Sequence, residues 1–294
     1  MLILFLLSVA FASPGEAQLA REIKTISLDA HGRVGVACSL PGSTLDCDLN
    51  PKARLPMQSV YKFPIAMAVL HAVEQSKLSL TDNVKFVPAD LISPGQHSPL
   101  RDVHPQANVD VRLSELLRLA VSESDGVASD ILLRTVGGPA VVDQYVRDLR
   151  ISGMQIKDGE KAIGRDPRVQ YRNYAEPQAM VDLLRRLADR SPFTAAHTAF
   201  LIKLMTETET GPRRIKGLLP AGTIVAHKTG TSGQDGGVTH ATNDVGLITL
   251  PDGRLLAVAV MVVDSPASES IREGVIARIA RAIYNAAASP VNAR

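Results

Sequence analysis

Ser59 and Lys62 stand three positions apart at the head of an apolar run, Ser59-Val60-Tyr61-Lys62, and that spacing can do chemistry. Residues three apart on a helix share a face, so the amine can hydrogen-bond the hydroxyl and help take its proton, which activates a nucleophile. Pro64 fits only near the first turn of a helix and so places Ser59 at its start, where the helix dipole favours a developing negative charge. A lone Ser-x-x-Lys pair occurs by chance in most chains of this length and then reads as a solvated surface pair. Three further motifs follow it in order: Ser124-Asp125-Gly126, Glu160 in a polar loop, and Lys228-Thr229-Gly230. The ordered set carries the signal.

The elements that must position these groups fall into three stretches. From Ile23 to Asp48 the pattern alternates around a glycine-containing turn and predicts two antiparallel strands. From Val60 to Met205 the apolar period is helical, with runs at 65–73, 113–121, 127–136, 141–149, 177–187 and 198–205. Strands return at 223–227, 244–250 and 255–263, with Pro251-Asp252-Gly253 as a hairpin turn, and a helix over 268–288 closes the chain. Strands at both ends with helices between predict an α/β (α+β) fold. An antiparallel sheet is built from both termini and flanked by helices, an all-helical domain is inserted in the middle, and the site lies where these parts meet. The division is 18–56 with 206–294 for the sheet domain and 57–205 for the helical one. The long loop-like stretches 89–109 and 157–176 read as functional.

Composition bounds the partners. The chain has 294 residues, 45% of them hydrophobic, enough for a conventional core, and 32 basic against 30 acidic residues leave a net charge of +2. No basic run is long enough for a nucleic-acid stripe, so nucleic acid is not expected as a partner. Met1 to Ala12 is too short to span a bilayer and is placed as the apolar region of a secretory signal, although it lacks a preceding Lys or Arg. The signal is assigned to residues 1–17, with cleavage after Ala12 or Ala17. Cys38 and Cys47 flank a Pro41-Gly42 turn and could pair in an oxidising compartment or stay as two half-buried thiols. The seven histidines show no spacing suited to zinc, and no metal or organic cofactor is expected.

With these pieces placed, the chain resembles the class A serine β-lactamases, in particular the branch with extended-spectrum cephalosporinase activity, over residues 22–287. The resemblance is carried by the segments 57–63, 122–126, 170–173, 211–222 and 227–233 and by Asn243-Asp244. It implies Ser59 as nucleophile with Lys62 in the same pocket, and backbone N–H groups of Ser59 and Thr231 as the oxyanion donors. Lys228 would bind the substrate carboxylate with Thr229 donating a hydrogen bond, Gly230 would let the substrate approach the strand edge, and Ser124 would relay a proton to the departing lactam nitrogen. Arg214 is either a second carboxylate anchor or a surface charge beside Arg213. Glu160 would be the base that activates the deacylating water, with Asp158 and Asp166 close in sequence. Whether Lys62 or Glu160 takes the first serine proton stays open.

The chain departs from the family pattern at two glycines. Gly126 replaces an asparagine that touches the substrate's acylamino carbonyl and helps hold the first lysine. Gly164 stands four residues after the glutamate and cannot help hold the hydrolytic water, which implies slower or differently arranged deacylation. His97 takes the place of an aromatic gatepost. Asp125, Asn243 and Asp244 are expected to organise loops and strand ends. The reading is a periplasmic or secreted monomeric β-lactamase acting on penicillins and early cephalosporins, free of the membrane once its signal is cleaved. The rivals are a D,D-peptidase or penicillin-binding protein, and a non-catalytic β-lactam sensor.

Overall fold

The computed structural model describes residues 14–288; the apolar segment read as a signal, Met1 to Ala12, lies outside them. Four strands, β1 (Arg33–Ser39), β2 (Val225–Thr231), β3 (Thr242–Thr249) and β4 (Leu255–Val263), form one antiparallel sheet in the order β1-β4-β3-β2. Arg33 pairs opposite Val263, so the first strand closes on the last and the two ends of the chain share one sheet. The β3–β4 turn falls at Pro251-Asp252-Gly253, where Gly253 takes φ +83°, a conformation that glycine adopts freely.

Alternation along the strands divides the sheet's side chains between two cores. Val34, Val36, Val258, Val260 and Val262 face one core, packed by α1 (Pro14–Ser27) and α10 (Glu269–Ala288). Ala37, Ala257, Ala259, Met261 and Val263 face the other, which is continuous with the helical part of the molecule. That part comprises α2 (Lys62–Glu74), α3 (Pro99–Val103), α4 (Leu113–Val121), α5 (Gly126–Val136), α6 (Pro139–Asp148), α7 (Glu160–Arg165), α8 (Pro177–Asp189) and α9 (Ala195–Thr206). Helix α2 is buried from Lys62 to Leu70, as a helix apolar on all sides must be. Its first turn holds Pro64, and Ser59 lies just ahead of its N-terminus.

Two expectations are corrected. The stretch 23–48 is not a pair of strands: α1 runs to Ser27, β1 is the only strand there, and Val36 and Leu49 make an isolated bridge. Leu19 and Ile23, four apart, bury on the α10 side, and that helical spacing outweighs the β-branched residues that suggested a strand. The stretches 89–109 and 157–176 contain short helices, and Glu160 is the first residue of one. Cys38 and Cys47 are joined in a disulfide across the loop beyond the Val36–Leu49 bridge.

Candidate active site

Ser59 lies in a single 3-10 turn, Gln58–Tyr61, that leads directly into α2. Gln58 takes φ +48°, which costs a non-glycine residue on the order of 1–3 kcal/mol and survives only where its surroundings hold it. Its Nε2 donates to Gln170 Oε1 at 2.5 Å, and Asn243 Nδ2 donates to the carbonyls of Pro56 and Met57 at 2.8 and 3.2 Å. The nucleophile turn is thus clamped from the loop on one side and the sheet on the other.

Strand β2 presses on the same turn. A Cβ at Gly230 would collide with the Met57 carbonyl and stand 3.1 Å from the Val60 nitrogen. The missing side chain therefore makes room for the backbone that carries Ser59.

Lys62 is buried, and its Nζ donates to the Ser124 carbonyl at 2.6 Å and lies 3.0 Å from Glu160 Oε1. Ser124 takes φ +63°, the second strained residue of the site. Lys228 Nζ donates to Ser124 Oγ at 2.9 Å and to the Thr229 carbonyl at 3.1 Å. Burial first, and the nearby Lys62 charge second, push the Lys228 amine well below the usual lysine range. Because Lys228 donates to the Ser124 oxygen, the hydroxyl proton of Ser124 remains free to be given away.

Glu160 is held from four sides. Asp130, on α5, accepts the backbone N–H groups of Glu160 and Lys161 at 2.7 and 2.9 Å and so caps α7. Lys62 and Gln96 reach the carboxylate, and Tyr61 packs close enough that Glu160 helps to raise its phenol after burial has done so. Burial, with the Glu160 charge second, pushes Asp130 up to about 6. Asp158 and Asp166 point elsewhere, into ion pairs with Arg172 at 3.0 Å and Arg168 at 2.9 Å. Asn173 ties the neck of the loop, accepting the N–H groups of Lys157 and Asp158. At the rim, Tyr171 donates to Asp264 Oδ1 at 2.5 Å and lies 2.8 Å from His240 Nδ1, which joins the loop to the sheet's end.

A cavity of about 810 Å³ gathers these groups, lined by Ser59, Lys62, Ser124, Glu160, Thr229 and Thr231, with His97 and His240 at its sides. Thr210, not foreseen from sequence, also lines it, and its hydroxyl lies 2.5 Å from that of Thr229. Arg214 is neither exposed nor part of the lining. It is buried behind β2, donating to Thr231 Oγ1 at 2.7 Å and to the carbonyls of Asn243 and Gly230 at 3.0 and 3.3 Å, with Glu273 Oε1 at 3.2 Å from its Nε. The surface-charge alternative is therefore set aside, and the guanidinium reaches the cavity only through Thr231. His97 is exposed, its Nε2 fixed 2.8 Å from the Glu123 carbonyl.

Gly126 is filled space. A Cβ there would lie 2.5 Å from Ile92 Cδ1, 3.1 Å from the His97 carbonyl and 3.4 Å from Glu160 Cγ. Asp125 accepts from Ser98 Oγ and the N–H groups of Leu100 and Ala128, and Asp244 holds His227 Nδ1 and the Ile215 N–H. Asp125 organises loop and helix backbone, and Asp244 holds one backbone N–H and the His227 ring. Asp130, Gln96 and Gln58 were missed. Asp130 was visible as an acid interrupting an apolar helix; Gln96 and Gln58 act across loops, where spacing carries no signal. Among the described residues no group of three or more His, Cys, Asp or Glu side chains could hold a metal ion.

A serine at a strained turn beside two buried lysines, a second serine and a buried carboxylate defines a serine hydrolase of the acyl-transfer type. Comparison with known proteins makes this specific. Residues 18–287 match the model of the beta-lactamase enzyme family. The extended-spectrum beta-lactamase PER-1 of Pseudomonas aeruginosa is 40% identical over 95% of this chain and 92% of its own, and the beta-lactamase VEB-1 of the same organism is 35% identical over 95% and 93%. The crystal structure of a beta-lactamase from Chitinophaga pinensis superposes with a TM-score of 0.88 at 42% identity, covering 92% of this chain and 99% of that one. The chain belongs to the beta-lactamase enzyme family. It is a class A serine β-lactamase, which hydrolyses β-lactams and confers resistance to them; the peptidase and sensor readings fall away.

Proposed function

We propose that Ser59 attacks the β-lactam carbonyl of penicillins and cephalosporins and that Glu160 activates the water that releases the acyl-enzyme. The observation that carries this reading is the Lys62–Glu160 pair, 3.0 Å apart and buried, facing the same cavity as Ser59. With Lys62 ion-paired to the carboxylate and donating to the Ser124 carbonyl, Glu160 is the group left to accept a proton, directly or through a water. The Ser59 oxygen adds to the carbonyl, and the oxyanion forms against the N–H groups of Ser59 and Thr231. The C–N bond then breaks as Ser124 gives its proton to the lactam nitrogen. The hydroxyls of Thr229, Thr231 and Thr210 would receive the substrate carboxylate, with Lys228 and Arg214 behind them.

Oxyimino-cephalosporins are included in the proposed range because PER-1 carries the extended-spectrum name and the cavity is roomy. Export to the periplasm or medium is proposed from the apolar N-terminal segment. No helix among the described residues is long and apolar enough to cross a membrane. Helix α1 starts at Pro14, so cleavage after Ala12 leaves it whole whereas cleavage after Ala17 removes its first turn. Action as a monomer is proposed because every group of the constellation comes from one chain. The test is steady-state hydrolysis of benzylpenicillin, an early cephalosporin and an oxyimino-cephalosporin by wild type and Ser59→Ala. Turnover of the first two by wild type and of none by the variant supports the reading. Unchanged hydrolysis by Ser59→Ala overturns it.

A further inference from the structure

Gly164 brings no side chain to the Glu160 carboxylate, yet the space beside it is not open. A Cβ at 164 would run into the Gln96 carboxamide and come within 2.9 Å of Ser93 Oγ. Gln96 belongs to the other long loop, across the cavity mouth. Its Nε2 donates to the Glu160 carbonyl at 2.7 Å and stands 3.3 Å from Glu160 Oε2, while its Oε1 accepts the Ser93 N–H at 3.1 Å. The Ser93 contact fixes which end of the amide faces the carboxylate. Arg101 Nη1 donates to the Gln96 carbonyl at 2.9 Å and to that of Ser93 at 2.9 Å, so the segment presenting the side chain is itself held. Lys62 takes the opposite carboxylate oxygen.

We propose that Gln96 is the positioning residue for deacylation, supplying from a second loop the amide that position 164 lacks. The inference rests on Glu160 as the deacylating base. With Lys62 on Oε1 and the Gln96 amide on Oε2, the carboxylate is held at both oxygens, and Oε2 has acceptor capacity left for a water in the cavity that Glu160 lines. A water there gives its proton to Oε2 as its oxygen bonds to the acyl carbon. The C–O bond to Ser59 then breaks, and the proton passes to Ser59 Oγ. Gly164 is a requirement of this arrangement, since any side chain at 164 displaces Gln96.

The experiment is rapid-quench intact-mass kinetics with benzylpenicillin on wild type, Gln96→Met, Gln96→Ala, the Gln96→Ala/Gly164→Asn pair and Glu160→Gln. Methionine keeps the reach and volume and loses the N–H. Loss of the hydrogen bond to the charged carboxylate, along with those to the Glu160 carbonyl and from the Ser93 N–H, predicts deacylation slower by about 10- to 100-fold in Gln96→Met and Gln96→Ala, with acylation within about twofold of wild type, so that adduct accumulates. In the pair, the asparagine side chain introduced by Gly164→Asn grows into the space that Gln96→Ala vacates and restores part of the deacylation rate. Wild-type deacylation in Gln96→Met overturns the proposal, as does an equal fall of both steps, which would mean a loosened loop. If Glu160→Gln traps its adduct while Gln96→Met does not, only the role of Gln96 fails. If Glu160→Gln turns over like wild type, the reading of the base fails first.

Discussion

Glu160 Oε1 and Lys62 Nζ lie 3.0 Å apart with their side chains 10% and 1% exposed. Two charges so far from water are stable only together, because removing one leaves the other unpaired in a medium that solvates it poorly. Lys62→Met is therefore expected to destabilise the fold by about 3 kcal/mol at neutral pH and the Lys62→Met/Glu160→Gln pair by clearly less. Urea unfolding of the four-member cycle reads the coupling directly. Additive losses would mean that the pair is not a unit.

Asp130 ionises only near pH 6, through burial first and the Glu160 charge second, with Lys62 pulling the other way. Its folded value lies above the unfolded one, so its contribution to stability is full below about pH 4 and is lost as pH rises through 6, at a cost of about 3 kcal/mol. Asp130→Asn lacks this dependence. Thermal melts of both proteins between pH 4 and 7 should show the variant gaining on wild type as pH rises. A constant difference across that window would refute the assignment.

Gly126→Asn would introduce the asparagine that the resemblance leads one to expect, at the cost of packing. Its Cβ would meet Ile92 Cδ1 at 2.5 Å and the less yielding His97 carbonyl at 3.1 Å. Overpacking of this kind costs about 1–3 kcal/mol. The variant is expected to lose that much in denaturant midpoint without gaining penicillin turnover, and Ile92→Val is expected to recover part of the loss. Unchanged stability in Gly126→Asn would mean that the loop carrying Ile92 yields freely.

Arg214 donates to Thr231 Oγ1 at 2.7 Å, which leaves the Thr231 hydroxyl proton to face the cavity. Arg214→Met should raise KM for a carboxylate-bearing penicillin by about tenfold, and Thr231→Val by a similar factor. Steady-state kinetics of the double variant should show little further loss, since both changes remove one path. Multiplicative losses would mean that Arg214 acts on substrate independently.

The fold was legible where residues repeat with a period. The run 113–121 is α4 to the residue, and 255–263 is β4. It was illegible at the N-terminus, where Leu19, Ile23 and Ile26 are a short apolar series and the partner, α10, lies more than two hundred residues away. Ser59, Lys62, Ser124 and Thr229 could be named because each sits in a short motif, and Glu160 through the family resemblance; the structure gathers all five around one cavity. The consequences of Gly126 and Gly164 were not legible, because an absent side chain says nothing about what fills its place. Ile92 and Gln96 do so from a loop whose course depends on the Asp125 and Arg101 hydrogen bonds.

The division of labour between Ser59 and Glu160 is tested most directly by an intact-mass time course of Glu160→Gln mixed with benzylpenicillin, followed by peptide mapping. One stoichiometric adduct on the Ser59 peptide is expected, persisting long after wild type has emptied and turned over. Hydrolysis by Glu160→Gln at the wild-type rate, or an adduct mapped to any other residue, would contradict that division.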